Sequence, residues 1–170
     1  MPVRADYSPS KAKLFLALLW NSSKRSKGHL FSALAGKWGQ VYDSYDPSYF
    51  PMSEYYKKEM GEDLRRSLVL MAPPISRESF IAVKQWSMEM EKEMSENGQR
   101  TVNIDPGLIC PEQLLLISTK PYAHRIYLGQ NLYAELCYTY SQKKYRPLPW
   151  TYPDYVQEDV IALFERWRGE

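Results

Sequence analysis

One short stretch of the chain carries the side chains that are best suited to hold or process a ligand. It reads "STKPYAHRIYLG" from residue 118 to 129, and His124 in it is one of only two histidines. Histidine alone has an unperturbed pKa near neutrality, so His124 could act as a general base or bind a ligand. The alternative is a hydrogen-bonded histidine at the edge of the core. We interpret His124 as a catalytic residue, with Lys120 supplying positive charge for an anion.

Two aspartates are the carboxylates that could orient His124. Asp105 lies in "RTVNIDPG", where it is expected at the end of a strand, and capping of its own turn is the alternative role. Asp154 lies in "PWTYPDY", just before the last predicted helix, where an N-cap is the alternative. We interpret both as catalytic residues. Trp150 and Tyr152 could stack on a planar ligand or cover the core, and we predict them as ligand-binding residues.

Two other chemistries have weaker support. A metal site would gather His124 with Asp105, Asp154 and Glu135, a set that suits Mg²⁺ or Mn²⁺ better than zinc. No spacing in the sequence is diagnostic of this set, so we predict no metal and the cofactor stays unknown. A nucleophile arrangement of Ser118, His124 and Asp105 lacks the G-x-S-x-G motif.

The loop "NSSKRSKGH" at 21–29 is a possible anion site. Lys24, Arg25 and Lys27 lie beside a predicted helix N-terminus, where backbone N–H groups favour a phosphate. A solvated flexible loop is the alternative explanation of these charges. The sequence leaves the role of this loop open.

The composition predicts one globular domain over residues 1–170. Hydrophobic residues make up 44% of the chain and charged residues 25%, as in ordinary globular proteins. The 22 basic and 20 acidic residues leave a net charge of +2, which gives no electrostatic case for nucleic acid or an anionic membrane. Cys110 and Cys137 are in no C-x-x-C spacing, so neither a disulfide framework nor a zinc site is indicated.

The apolar stretch "KAKLFLALLWNSS" resembles the start of a secretory signal. It lacks a small-x-small cleavage site, and its apolar run is far too short to span a bilayer. We therefore predict a buried central strand here and a cytoplasmic protein.

The elements that must position these residues alternate between strands and helices. Strands are predicted at 13–20, 64–72 and 100–105, and "QVYDSYD" is a short strand candidate. Helices are predicted at 28–38 and 77–97, with a last helix from Val156 to Trp167. The order predicts an α+β fold with a ferredoxin-like βαββαβ core and both helices on one sheet face. A C-terminal β-hairpin extension and the terminal helix would complete it. The stretch "PEQLLLIS" could be a helical turn or a strand.

The hairpin register bears directly on the candidate site. If "GQN" is a three-residue loop, Leu128 lies opposite Leu132, and one apolar face ends at His124. The same register pairs Arg125 with Glu135. Neighbouring strand residues point to opposite faces, so we expect only one of His124 and Arg125 to line a pocket. Arg125 is a candidate ligand-binding residue, with a cross-strand ion pair as the alternative.

Several blocks of the sequence together resemble a known family. They are "SEYYKKEMG", "RTVNIDPG", "STKPYAHRIYLG", "NLYAELCY" and "PWTYPDY". In this order they are similar to the blocks of a bacterial family known as domain of unknown function 4416. The resemblance implies no activity, because the family is defined by the lack of an assigned one. The loop after the first strand departs from the acidic character of the family.

Two hypotheses about function follow. The first is a cytoplasmic protein that binds, or acts on, a small anionic or nucleotide-like ligand through Lys120, His124, Arg125, Asp105 and Asp154. The second is a non-catalytic protein–protein interaction module whose many tyrosines and prolines form a partner surface. Convergence of the five side chains in one concave pocket would favour the first.

Overall fold

The computed structural model describes residues 9–170, which form one large antiparallel sheet and four helices. The strands are β1 (Lys13–Asn21), β2 (Gln40–Tyr45), β3 (Leu64–Ala72), β4 (Val102–Ile109), β5 (Gln113–Ser118), β6 (Arg125–Gly129), β7 (Leu132–Ser141) and β8 (Lys144–Pro147). The helices are α1 (Lys27–Trp38), α2 (Ser53–Met60), α3 (Phe80–Glu93) and α4 (Glu158–Gly169). The strand order is β2-β3-β1-β4-β5-β7-β6, and β8 pairs with β7.

The sheet separates two apolar cores. Leu34 of α1 and Val83 of α3 pack into one core, so these two helices lie on the same face. Phe164 and Trp167 of α4 pack into the other. Strand β1 is buried on both faces, which explains why its sequence is a continuous apolar run rather than an alternating one. Among residues 9–170, no helix has the length and apolar character needed to cross a membrane.

The mixed α+β class and the main strands agree with the sequence-based prediction. The predicted strands at 13–20, 64–72 and 100–105 share one sheet, and the predicted helices lie on one face of it. A ferredoxin-like core with a separate hairpin is not supported, because the sheet is one continuous array of eight strands within residues 9–170. The reason is the stretch "QLLLIS", which forms β5 and pairs with both β4 and β7.

The Asp-Pro-Gly sequence predicts that strand β4 ends at Asp105, but the strand does not end there. It continues through Pro106 to Ile109, paired with β1 over its whole length. Strand β5 pairs with β4 only from Gly107 onward, so Pro106 lies where the second edge of β4 is free and its missing N–H removes no bond to β5. Gly107 is required because a Cβ there would lie 2.1 Å from the ring of Phe15. The alternative role of Asp105, capping of its own turn, is therefore wrong.

The β6–β7 hairpin has the predicted register over most of its length. Arg125 lies opposite Glu135, as predicted, but Gly129 rather than Leu128 lies opposite Leu132. The turn is tighter than predicted, because Gln130 and Asn131 both adopt positive φ and bring Gly129 into the pairing. Of the face predicted to be apolar, Ile126 and Leu128 are exposed, Ile126 at 72%, whereas Leu132 is buried.

Candidate functional site

A slot opens in the sheet where β4 and β5 separate. The two strands pair only over Gly107–Ile109 and Leu114–Leu116, which leaves the first half of β4 without a neighbour on that edge. The backbone N–H of Ile104 donates instead to the carboxylate of Glu91, at 2.6 Å. A helix residue thus takes the place of a strand partner, because a buried backbone N–H needs an acceptor.

A cavity of about 250 Å³ occupies this slot, which we call the slot cavity. Its walls come from α2 and the loop before it, from α3, from the ends of β3, β4 and β5, and from the segment before α4. The cations that line it are Arg66, Lys84, Arg100, Lys120 and Arg125. The carboxylates that line it are Glu91, Asp105, Glu135 and Asp154. Helix α2 contributes Tyr55 and Tyr56 to this wall.

Ion pairs within the chain neutralise most of these charges. Arg66 pairs with Asp154 at 2.6 Å, and both side chains are almost fully buried. Lys84 approaches Asp105 at 3.4 Å, a longer contact. Arg100 donates two hydrogen bonds of 2.8 Å to Glu59, which lies outside the cavity wall.

Lys120 differs from the other cations of the slot cavity. It is exposed on the loop after β5 and lines the cavity. Within residues 9–170 its ammonium group makes no ion pair or hydrogen bond. Its charge is therefore available to a ligand without the loss of an existing contact.

Two buried groups beside the slot cavity have unused hydrogen-bonding capacity. The hydroxyl of Tyr155 is buried and has no partner in the described chain. Burial raises the pKa of Tyr155 well above its ordinary value, so this group stays a hydroxyl that can donate. Asp154 is the only acceptor found for the guanidinium of Arg66 among residues 9–170, although an arginine has five N–H donors. The Phe50 ring covers Arg66 on another side, with 4.6 Å from ring centroid to Cζ.

Arg125 is held by the chain on every side. Its guanidinium donates to Ser118 Oγ at 2.9 Å, to the Lys120 carbonyl at 3.0 Å and to Tyr152 Oη at 2.8 Å. It also contacts Glu135 Oε1 at 3.4 Å. These bonds favour the cross-strand ion pair as the role of Arg125. Its bonds to Ser118 and to the Lys120 carbonyl also fix the loop that carries Lys120.

His124 lies beside the slot cavity rather than in its wall. Its Nε2 is 2.5 Å from Glu135 Oε1, and its ring stacks on Trp150 at 5.3 Å between centroids. His124 and Arg125 thus share one carboxylate, although strand alternation predicts opposite faces. The reason is that His124 precedes β6 in a turn, where alternation does not apply. The carboxylate that orients His124 is Glu135, not Asp105 or Asp154 as predicted.

The segment before α4 does not take the N-cap role that was the alternative for Asp154. Asp154 does not cap the helix, because α4 begins at Glu158 with Gln157 at its N-cap. Asp154 instead forms the buried ion pair with Arg66. Tyr152 lines the slot cavity, whereas Trp150 donates its indole N–H to the carbonyl of Leu136 on β7.

The carboxylates of Asp105 on β4 and of Glu91, which packs from α3 against the open edge of β4, have opposite pKa shifts. Burial alone would raise the pKa of Asp105, but Lys84 and Arg66 outweigh it and hold that pKa below its usual range. Burial raises the pKa of Glu91, and the nearby Lys84 offsets this only in part. The slot cavity therefore contains one carboxylate whose pKa is lowered and one whose pKa is raised.

Sequence reasoning missed four charged residues of the cavity wall, namely Arg66, Lys84, Glu91 and Arg100. Lys84 and Glu91 lie on the buried stripe of α3, which also contains Phe80, Val83 and Ser87. This stripe follows helical periodicity, so charged residues within it were a detectable signal. Arg66 gave no such signal, because it lies near the start of β3, before that strand becomes fully buried.

The basic loop at 21–29 is occupied by contacts within the chain. Lys24 and Arg25 pair with Glu96, and Lys27 pairs with Asp46 at 2.7 Å. These pairs leave little charge for a phosphate at this end of α1. Within the described residues, no group of three His, Cys, Asp or Glu side chains could hold a metal ion.

Fold and site together define an α+β protein with a polar slot in an antiparallel sheet. The family model described as domain of unknown function DUF4416 matches residues 10–170. The chain belongs to this family. No curated protein and no solved structure matches it.

Proposed function

We propose that the protein binds a small anionic or nucleotide-like ligand in the slot cavity. The observation that carries this proposal is the pair of buried groups with unused donors, Tyr155 and Arg66. Leaving a buried hydroxyl without a partner costs roughly 1–3 kcal/mol, which an acceptor on a ligand would recover. The guanidinium of Arg66 can only donate and the hydroxyl of Tyr155 can donate, so a ligand that presents acceptors, as an anion does, would satisfy both.

The charge of the lining supports an anion rather than a cation. Five cations face four carboxylates in the wall, and Lys120 is the cation without a carboxylate partner among the described residues. A ligand with a negative charge would supply the missing partner of Lys120. Charge-assisted hydrogen bonds from Lys120 and Arg66 would hold it more strongly than neutral ones.

The size and the aromatic wall limit the ligand further. A volume of about 250 Å³ lies just below the range of about 300–1,000 Å³ that is usual for drug-sized ligands. The rings of Phe50 and Tyr56 stack at 6.1 Å on one side of the slot cavity and offer a surface for a planar or sugar-like group. If the bound ligand reacts, Asp105 and Asp154 would be the groups in the wall, and His124 would act through Glu135.

The experiment is a thermal-shift screen of inorganic phosphate, sugar phosphates and mononucleotides against wild type and Lys120→Met. A ligand at 100 times its Kd should add about 2.7 kcal/mol to wild-type stability. Lys120→Met should lose most of this gain while keeping its own unfolding temperature, because the side chain makes no contact that it would break. Lys144→Met, on exposed β8, is the matched control and should respond like wild type. Absence of any shift with wild type would contradict the proposal.

The alternative, a non-catalytic protein–protein interaction module, is favoured by one surface. Strand β6 is the last strand in the sheet order, and Ile126 and Tyr127 on it are 72% and 58% exposed. An exposed edge strand with apolar side chains can pair with another chain. Ile126→Lys should then abolish complex formation in size-exclusion chromatography of cell extract, and an unchanged elution profile would exclude this surface.

We also propose a ferredoxin-like unit within the sheet and a cytoplasmic location. The order β2-β3-β1-β4, with α1 and α3 on one face, supports a ferredoxin-like unit within the larger sheet. The finding that the apolar run at the chain start is the buried strand β1 supports a cytoplasmic location. Cell fractionation of the tagged protein tests the location.

A further inference from the structure

We infer that the ligand of the slot cavity is an anion that also carries hydroxyl groups, and that Asp105 accepts the hydrogen bonds of those hydroxyls. The inference rests on the proposed function, which requires only an anion. It adds a second chemical feature to the ligand and assigns that feature to one side chain. Sugar phosphates and hydroxy acids are the classes that combine the two features.

Asp105 has acceptor capacity that the chain does not use. Its Oδ2 accepts one bond of 2.8 Å from Asn103 Nδ2. Its Oδ1 has only the 3.4 Å contact with Lys84. An ionised carboxylate offers about four lone-pair sites, so about half remain for a ligand. The side chain is 36% exposed although it lies in the middle of a central strand, because it faces the slot cavity.

A chain of hydrogen bonds fixes the orientation of this carboxylate. Glu59 accepts two bonds of 2.8 Å from Arg100, and Arg100 donates a third, of 2.7 Å, to Asn103 Oδ1. Because the amide oxygen of Asn103 is taken by Arg100, its NH₂ group must face Asp105. A carboxylate whose neighbours are fixed in this way binds with little loss of side-chain freedom.

The surroundings of Asp105 favour a hydroxyl over an ammonium group. Lys84 and Arg66 lie close enough to hold the pKa of Asp105 below its usual range. At neutral pH this carboxylate therefore accepts hydrogen bonds and donates none. The same two cations would repel an ammonium group of a ligand. A neutral hydroxyl can donate to Asp105 without this repulsion.

The test compares two ligands that differ only in their hydroxyls. Glycerol 3-phosphate and n-propyl phosphate share the phosphate and the carbon chain, and isothermal titration calorimetry measures their Kd values with the full chain. Hydrogen bonds to an ionised carboxylate predict that wild type binds glycerol 3-phosphate roughly ten- to a hundredfold more tightly. The carboxylate pair glycerate and propionate shows whether the preference also holds for that anion.

The variant Asp105→Asn should bind n-propyl phosphate at least as tightly as wild type, because a negative charge is removed, and should prefer the hydroxylated ligand by less than about threefold. Asn103→Ala keeps the carboxylate but removes its orientation, so it should show an intermediate preference. Asp63→Asn, an exposed aspartate outside the slot cavity, should keep the wild-type preference. Circular dichroism establishes that each variant is folded.

The outcomes separate the inference from the proposed function. If wild type binds neither phosphate nor carboxylate ligands, the proposed function fails. If wild type binds both members of a pair equally, the anion site stands and the hydroxyl inference is overturned. A folded Asp105→Asn that keeps the full preference also overturns it, because another group must then accept the hydroxyls.

Discussion

The residue that organises the floor of the slot cavity is Arg66. It forms a buried ion pair with Asp154, lies under the ring of Phe50 and has N–H donors to spare. Removal of one partner from a buried pair leaves an uncompensated charge, which is far more costly than the loss of an exposed pair. The environment of Arg66 therefore affects the stability of this region, and under the proposed function it also contributes to the binding of the anion.

The first prediction concerns this pair. Asp154→Ala should lower the free energy of unfolding by about 3–5 kcal/mol in urea denaturation, because Arg66 is left buried and unpaired. Asp46→Ala removes the exposed partner of Lys27 and should cost about 0–1 kcal/mol. Equal effects of the two variants would show that Arg66 is hydrated in the folded protein.

The second prediction concerns pH. The folded protein holds the pKa of Glu91 above its unfolded value, so the stability from this group is complete below the unfolded pKa and is lost as pH rises through the folded pKa. The lowered pKa of Asp105 has the opposite sign, and its contribution is lost as pH falls through the folded pKa. In urea unfolding, the free energy of unfolding of Glu91→Gln should therefore increase relative to that of wild type as pH rises from 4 to 7.

Asp105→Asn should show the opposite trend in urea unfolding. Its free energy of unfolding should increase relative to that of wild type as pH falls from 5 to 3. The two variants control for each other, since they remove carboxylates from the same cavity wall. Parallel trends with pH would contradict the assigned shifts.

At the scale of elements, the slot depends on where β4 and β5 stop pairing. The sequence predicted the core strands and the same-face helices because their apolar runs and stripes are local signals. It could not predict that β4 continues past Pro106, because this depends on the absence of β5 at that point, a tertiary fact. The same limit applies to Glu91, whose acceptor role exists only because the edge of β4 is open.

The third prediction tests the short β4–β5 pairing. Gly107→Ala would place a Cβ 2.1 Å from the Phe15 ring and 2.7 Å from the Leu115 carbonyl, so it should cost about 1–3 kcal/mol of unfolding free energy. Gly36→Ala on α1 has open space around its Cβ and should stabilise by about 0.4–1 kcal/mol. Thermal unfolding measures both. A neutral Gly107→Ala would mean that the strands can shift apart freely.

At the scale of the whole molecule, one sheet joins two cores. One face of β1 packs into each core, so the loss of either core exposes one face of a strand that also supports the other core. The prediction of a single domain over residues 1–170 implies that the two cores unfold together. The sequence did not reveal the size of the sheet, because "QLLLIS" alone is compatible with a helical turn or a strand.

The fourth prediction is cooperative unfolding. Leu34→Ala in one core and Phe164→Ala in the other should each cost about 2–5 kcal/mol and lower the midpoint of one shared transition. Far-ultraviolet circular dichroism and tryptophan fluorescence should give coincident curves, as two-state unfolding requires. Separate transitions for the two probes would show that the cores unfold independently.

The most direct test of the central claim is a crystal structure with the anion that gives the largest thermal shift, at about 100 times its Kd. We predict ligand density in the slot cavity, with an anionic oxygen about 2.5–3.0 Å from Tyr155 Oη and further contacts to Arg66 and Lys120. Density on another surface, or a slot cavity that holds only water with Tyr155 still unbonded to ligand, would contradict the account.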